Sequence, residues 1–249
     1  NDHYVIDDTK YEFSFEYTDP RTSKQVININ GGENIINKLL YGKVTTTKVE
    51  EEHPKNKLSG ATFVVYRDRN GNKEFDKADK VCGEMKEVKK GIYELDNLTY
   101  GGYFLYEKTA PIGYVKDDEH YYFEIKKDKE TVVIENKSGV GFTDRKITGS
   151  LEITKKDICS GELLPDAGFR IKDENGKTVV EGYTDKKGLA KFTLTYGKYT
   201  YEEFDAPDGY IVDTTPHSFE ISKDGQIVKA EMTNKAEKQE KPKTGDSNH

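Results

Sequence analysis

Apolar and polar residues alternate over short stretches along most of the chain, the period-two pattern of a β-strand with one face buried. In 199–203, Tyr199, Tyr201 and Glu203 share one face, and Thr200 and Glu202 the other. In 151–155, Leu151, Ile153 and Lys155 oppose Glu152 and Thr154; in 228–234, Val228, Ala230, Met232 and Asn234 oppose Lys229, Glu231 and Thr233. Turns rich in Gly, Asp, Asn and Pro separate these runs, and no window sustains a helical period. The pattern predicts an all-β fold of sandwiches in tandem.

The strands recur as a repeat. GKVTTTKVE at 42–50 matches GSLEITKKD at 149–157, and LSGATFVVYRD at 58–68 matches LPDAGFRIKD at 164–173. YFLYEKTAPIGY at 103–114 matches YTYEEFDAPDGY at 199–210, and each copy closes on a β-rich run ending in Asn-Lys, VVIENK and AEMTNK. This places one full module at 40–148 and a second at 149–236. Residues 1–39 match only the later strands of a module and read as the C-terminal part of a truncated upstream copy, so a fragment of a longer protein is expected. Residues 237–249 lack apolar periodicity and read as a disordered tail.

Composition narrows the field. With 33% hydrophobic and 34% charged residues, small sandwiches with wet outer faces fit better than one large core. A net charge of −7 makes nucleic acid a poor partner. No apolar run reaches membrane-spanning length. Cys82 and Cys159 fall in different repeats, which leaves no disulfide inside a module; Cys82, following Val81, reads as a small core residue and Cys159 as a loop thiol. The five His residues show no metal-ligand spacing with acidic neighbours.

The anomaly is on the inward faces. Each module turns one Lys, one Glu and one Asn toward its core: Lys48, Glu107 and Asn136 in the first, Lys155, Glu203 and Asn234 in the second. Burying such groups without partners costs several kcal/mol. A hydrogen-bonded ion pair with a bystander amide is one explanation, but recurrence of the whole triple favours chemistry.

The combination G-x-V-x-x-x-K, L-x-G-A-x-F, E-x-x-A-P-x-G-Y and a terminal N-K resembles the collagen-adhesin B-type (prealbumin-like, Ig-like) domain of Gram-positive pilins and adhesin stalks. The resemblance spans both full modules and, in part, residues 1–39. It implies intramolecular isopeptide bonds Lys48–Asn136 and Lys155–Asn234, assisted by Glu107 and Glu203. Asn37 matches the Asn of the truncated copy, whose Lys is missing. Apolar surroundings lower the pKa of an amine and raise that of a carboxylic acid. A neutral amine is then a nucleophile, and a neutral acid can polarise an amide and move protons. Such a reaction turns over once, so the chain is not expected to be an enzyme. It needs no cofactor.

The resemblance extends to the tail. Pro242, Lys243, Thr244 and Gly245 are similar to the sortase signal L-P-x-T-G, with Lys241 in place of Leu. That implies sortase and peptidoglycan as partners and an extracellular, wall-anchored location. His53-Pro54-Lys55-Asn56 is similar to a pilin Y-P-K-N motif, although its register also fits an ordinary loop. Asp68, Asn70, Asn72, Glu74, Asp76 and Asp79 have the spacing of a calcium loop without its Gly at the sixth position; an acidic hairpin is the alternative. The leading expectation is a structural stalk. The alternative is an adhesive module that itself binds a host extracellular-matrix protein. A paired-carboxylate hydrolase is disfavoured because Glu107 and Glu203 lie in separate repeats.

Overall fold

The computed structural model describes residues 3–13, 29, 33–35 and 37–237. Among the described residues the regular elements are strands, with no α-helix and none long and apolar enough to cross a membrane. The chain forms two compact units. One comprises the residues up to Pro111 together with Lys116–Asp144; the other comprises Ile112–Val115 and the residues from Arg145 onward.

The first unit holds β1 (Tyr41–Glu50), β2 (Thr62–Arg67), β3 (Lys80–Glu84), β4 (Lys86–Lys89), β5 (Ile92–Thr99), β6 (Gly101–Thr109), β7 (His120–Ile125), β8 (Thr131–Val133) and β9 (Phe142–Asp144). One sheet runs β4-β5-β1-β8, with β9 also on β1, and the other runs β3-β2-β6-β7. Between them Val44, Phe63, Val65, Tyr93, Leu98, Tyr103, Leu105, Ile125 and Phe142 form the core. Full burial of each large apolar side chain contributes about 1.5–3 kcal/mol.

The second unit holds β10 (Thr148–Asp157), β11 (Gly168–Asp173), β12 (Thr178–Tyr183), β13 (Leu189–Thr195), β14 (Gly197–Asp205), β15 (Tyr210–Ile211), β16 (His217–Ile221) and β17 (Gln226–Ala236). Its sheets run β13-β10-β17-β15 and β12-β11-β14-β16. The predicted alternation holds here: Leu151, Ile153, Lys155, Tyr199, Tyr201, Glu203, Met232 and Asn234 are all buried.

The modules differ in their closing strand. β17 pairs in parallel with β10 at nine consecutive positions, Gly149↔Gln226 to Asp157↔Asn234. In the first module that ladder is broken. Thr45 pairs with Val133 and Lys48 with Phe142, so the offset between partners rises from 88 to 94 residues and six residues loop out. Gly141 closes the excursion at φ 120°; a Cβ there would lie 2.7 Å from Thr47 O, so only glycine lets β9 rejoin β1.

Near the N-terminus, Tyr4 and Leu39 form an antiparallel bridge, with Val5 N donating to Lys38 O at 2.9 Å and Leu40 N to His3 O at 3.1 Å. Ile6 remains 85% exposed. Asn37 is exposed as well, away from any core.

Candidate functional site

The two inward lysines lie at the centre of their modules. Lys48, Glu107, Lys155 and Glu203 are each 0% exposed and Asn234 is 1% exposed. Lys48 sits on β1 and Lys155 on β10, the first strand of each sandwich. Aromatic rings wall both: Lys48 Nζ is 4.6 Å from the Phe142 ring centroid and 5.7 Å from that of Phe63, and Lys155 Nζ is 5.7 Å from that of Phe169. These rings exclude water while offering a π-face to a cation.

A β-bulge aims each glutamate. The β2–β6 pairing shifts register between Thr62 and Phe63, which puts Phe63 opposite Glu107. The β11–β14 pairing shifts between Gly168 and Phe169, which puts Phe169 opposite Glu203. The extra residue re-aims the strand end next to the lysine. Each glutamate is then fixed by a backbone donor that the alternation pattern did not indicate. Asp117 N donates to Glu107 Oε2 at 3.0 Å, and Asp213 N to Glu203 Oε2 at 2.8 Å. Both donors follow the A-P-x-G-Y turn by the same interval, which is the signal that could have located them.

In the second module the predicted triple comes together. Lys155 Nζ is 3.1 Å from Glu203 Oε1, and Asn234 Nδ2 is 2.9 Å from the same oxygen. Among the described residues, no donor reaches the buried Asn234 Oδ1. Burial lowers the Lys155 amine below the ordinary lysine value, with Glu203 opposing the shift.

In the first module the structure does not bring Asn136 to Lys48. Lys48 Nζ is 2.7 Å from Glu107 Oε1 and in direct contact with Asp144 Oδ1. The side chain in contact with Lys48, where Asn136 was expected, is Asp144. The reason is the looped-out segment: β8 ends at Val133, so the alternation through Val132 and Ile134 does not carry on to Asn136. Burial raises the Asp144 carboxyl to about 7, with Lys48 opposing and Glu107 adding to the rise.

The calcium-type spacing folds into the loop between β2 and β3. Asp68 and Asp79 are buried and accept backbone N–H groups, Gly71 N at 2.7 Å on Asp68 and Asp76 N at 2.8 Å on Asp79. Asn70 Nδ2 and Asn72 Nδ2 each lie 2.9 Å from Asp76 Oδ2, and Glu74 N donates to Asn72 Oδ1. A grouping that the His spacing did not suggest lies at the end of β1, where ligand atoms of Glu50, Glu52 and His53 come within 4.8 Å of one another. Lys55 is exposed in the turn that follows. Both cysteines are exposed; Cys82 is on the edge strand β3 and not in the core, a second correction. Pro242, Lys243, Thr244 and Gly245 lie outside the described residues.

The model of the SpaA prealbumin-like fold domain matches residues 42–138 and 149–236. The chain belongs to this family, as a tandem of prealbumin-like β-sandwich domains. Among solved structures, the Bacillus anthracis TIE protein is 37% identical at a TM-score of 0.68; the match covers 80% of this chain and 34% of that one. This chain therefore spans 34% of that relative's length. BcpA, the major pilin subunit of Bacillus cereus, is 17% identical at a TM-score of 0.36, covering 79% of this chain and 100% of its own. The shaft pilin SpaA of Lactobacillus rhamnosus GG is 16% identical at a TM-score of 0.35, covering 81% and 100%. No curated protein matches.

Proposed function

We propose that each module crosslinks itself through its buried lysine and that the chain serves as a covalently braced stalk segment of a bacterial surface protein. The observation that carries this is the matched burial of Lys48 against Glu107 and Asp144, and of Lys155 against Glu203 and Asn234. A lone buried ion pair is weak support for stability, since desolvation offsets its attraction. Two at one place in two modules, each with an acyl group alongside, favour a reaction.

In the second module Lys155 transfers a proton to Glu203, and the neutral Nζ attacks Asn234 Cγ. The C–N bond to the side-chain nitrogen breaks as Glu203 gives it a proton, Glu203 takes the remaining excess proton from Nζ, and ammonia leaves with Glu203 neutral. In the first module Lys48 Nζ attacks the neutral carboxyl of Asp144, a C–O bond breaks, and water leaves. Folding supplies a high effective concentration of the reactants. Each bond joins the first strand of a sandwich to its last, so tension passes between the strands without unzipping a ladder. Attachment to the wall through Thr244 belongs to the same reading. Intact mass is the test: a deficit of one ammonia and one water supports the crosslinks, and the full sequence mass refutes them.

The gathering of the oxygen-bearing Asp68, Asn70, Asn72, Asp76 and Asp79 in one loop favours calcium binding by the 68–79 loop of the first module, with Asp68 and Asp79 as the end ligands and Glu74 contributing a carbonyl.

A further inference from the structure

Asn136 uses all four of its hydrogen-bonding sites. Its Nδ2 donates to Thr143 O at 2.8 Å and to Asp117 Oδ2 at 2.9 Å. Its Oδ1 accepts from Thr143 N at 2.7 Å and from Thr143 Oγ1 at 3.1 Å. These contacts bind the two arms of the first reactive cluster. Thr143 precedes Asp144, the acyl group in contact with Lys48. Asp117 donates its backbone N–H to Glu107 Oε2. One amide thus ties the acyl arm to the acid arm.

The second module shows why the first needs this. There Asn234 is held by the nine-position ladder between β10 and β17, and its own amide reaches the acid, Nδ2 donating to Glu203 Oε1 at 2.9 Å. Asp213 and Asp117 each accept from the N–H two residues on, Thr215 N at 3.0 Å and Glu119 N at 2.9 Å, and Asp117 takes the Asn136 amide in addition. In the first module the ladder breaks before the acyl residue, and β9 keeps three paired positions with β1. Asn136 lies in the looped-out segment and replaces the missing register. Tyr121 steadies the same post, donating to Asp117 Oδ2 at 2.6 Å.

We infer that Asn136 is a positioning residue for the Lys48–Asp144 crosslink, holding Asp144 and Glu107 in register across the break in the closing strand. The inference rests on the crosslinking proposed above. It assigns Asn136 no bond-making role: its amide stays intact, and the water lost comes from Lys48 and Asp144.

The test follows both losses in time by quenched intact-mass measurement during cell-free synthesis of the full chain. Loss of ammonia from the second module serves as an internal clock. Asn136→Ala is expected to slow the water loss by roughly ten- to a hundred-fold, as misplacement of about 1 Å does in a preorganised site, and to leave the ammonia loss unchanged. Fold is checked in a Glu107→Ala background, where the first module cannot crosslink. Adding Asn136→Ala there is expected to leave the first module's melting transition within a few degrees. Water loss at the wild-type rate overturns the inference, and so does collapse of that transition, which would make Asn136 a purely structural residue. Loss of two ammonia molecules from the wild type would make Asn136 the reagent and overturn it too. A wild type with no loss of either kind removes the crosslinking itself, a separate failure.

Discussion

Asp144 and Asn234 occupy the same place in their modules: each lies two residues beyond the strand partner of the buried lysine, Phe142 opposite Lys48 and Met232 opposite Lys155. Phe-Thr-Asp-Arg and Met-Thr-Asn-Lys are therefore the equivalent segments, and the Asn-Lys pair at 136–137 lies eight residues upstream of the structural match.

Exchange of the acyl residue tests that equivalence. Asp144→Asn is expected to convert the water loss into a second ammonia loss, and Asp144→Ala to leave a single ammonia loss. Intact mass distinguishes the three states, with peptide mapping to place the bond. If Asp144→Ala still loses water, the acyl group lies elsewhere.

The glutamates are expected to matter for reaction more than for folding. In Glu107→Ala, Lys48 keeps its contact with Asp144, so the cation is not stranded. By analogy with a disulfide, losing covalent closure of a loop of roughly 80–100 residues costs about 4–5 kcal/mol. That lowers the melting temperature of a module this small by roughly 20 °C or more. Glu107→Ala should shift the first transition in calorimetry; Glu203→Ala should shift the second by more than the lost crosslink, because it also strands the buried Lys155. A shift of only a few degrees with the mass loss abolished would mean the crosslink contributes little to equilibrium stability.

Calcium is expected to act on the first module alone, because the second lacks the 68–79 insertion. A site with a dissociation constant of about 0.1–1 mM, filled tenfold over, stabilises by about 1.4 kcal/mol. Calorimetry after chelation should show the first transition rising by several degrees on adding calcium, and the double variant Asp68→Ala/Asp76→Ala should remove the rise. An unchanged wild-type transition makes the loop an acidic hairpin held by its own backbone N–H groups.

The strand faces were legible because period-two alternation and repetition act locally. Lys48, Lys155, Glu107 and Glu203 could be picked out by asking which polar residue falls on an apolar face, and all four are fully buried. Asn234 was legible for the same reason, since β17 is continuous. Asp144 was not. The looped-out residues upset the count of faces, and a short three-residue strand carries too few positions to show a period. The bulges that aim the glutamates, and the Asp117 and Asp213 backbone donors, are set by pairing between distant strands, which no single run of sequence displays.

The two crosslinks are expected to respond differently to pH. In the first module one lysine is paired with two carboxyls, Glu107 and Asp144; in the second, Lys155 is paired with Glu203, and Asp213 acts on it from farther off. The reactive form of the first cluster has a neutral amine and neutral acids at both carboxyl positions. It holds as many protons as an ammonium beside one ionised and one neutral carboxyl, so internal proton transfer reaches it. Asp144, raised to about 7, supplies that neutral carboxyl only at lower pH. Above that value the cluster lacks a proton, Asp144 is a carboxylate, and the amine has no electrophile. Water loss should therefore slow by about tenfold per pH unit on the alkaline side. In the second cluster an ammonium with a carboxylate and an amine with a neutral acid hold the same number of protons. Burial lowers the Lys155 amine and favours the transfer to Glu203. Ammonia loss should stay level across the same window. Time courses at roughly pH 6.5 and 8.5 compare the two within one molecule. Equal slowing of both losses, or of neither, would show that the extra carboxyl of the first module does not control its reaction.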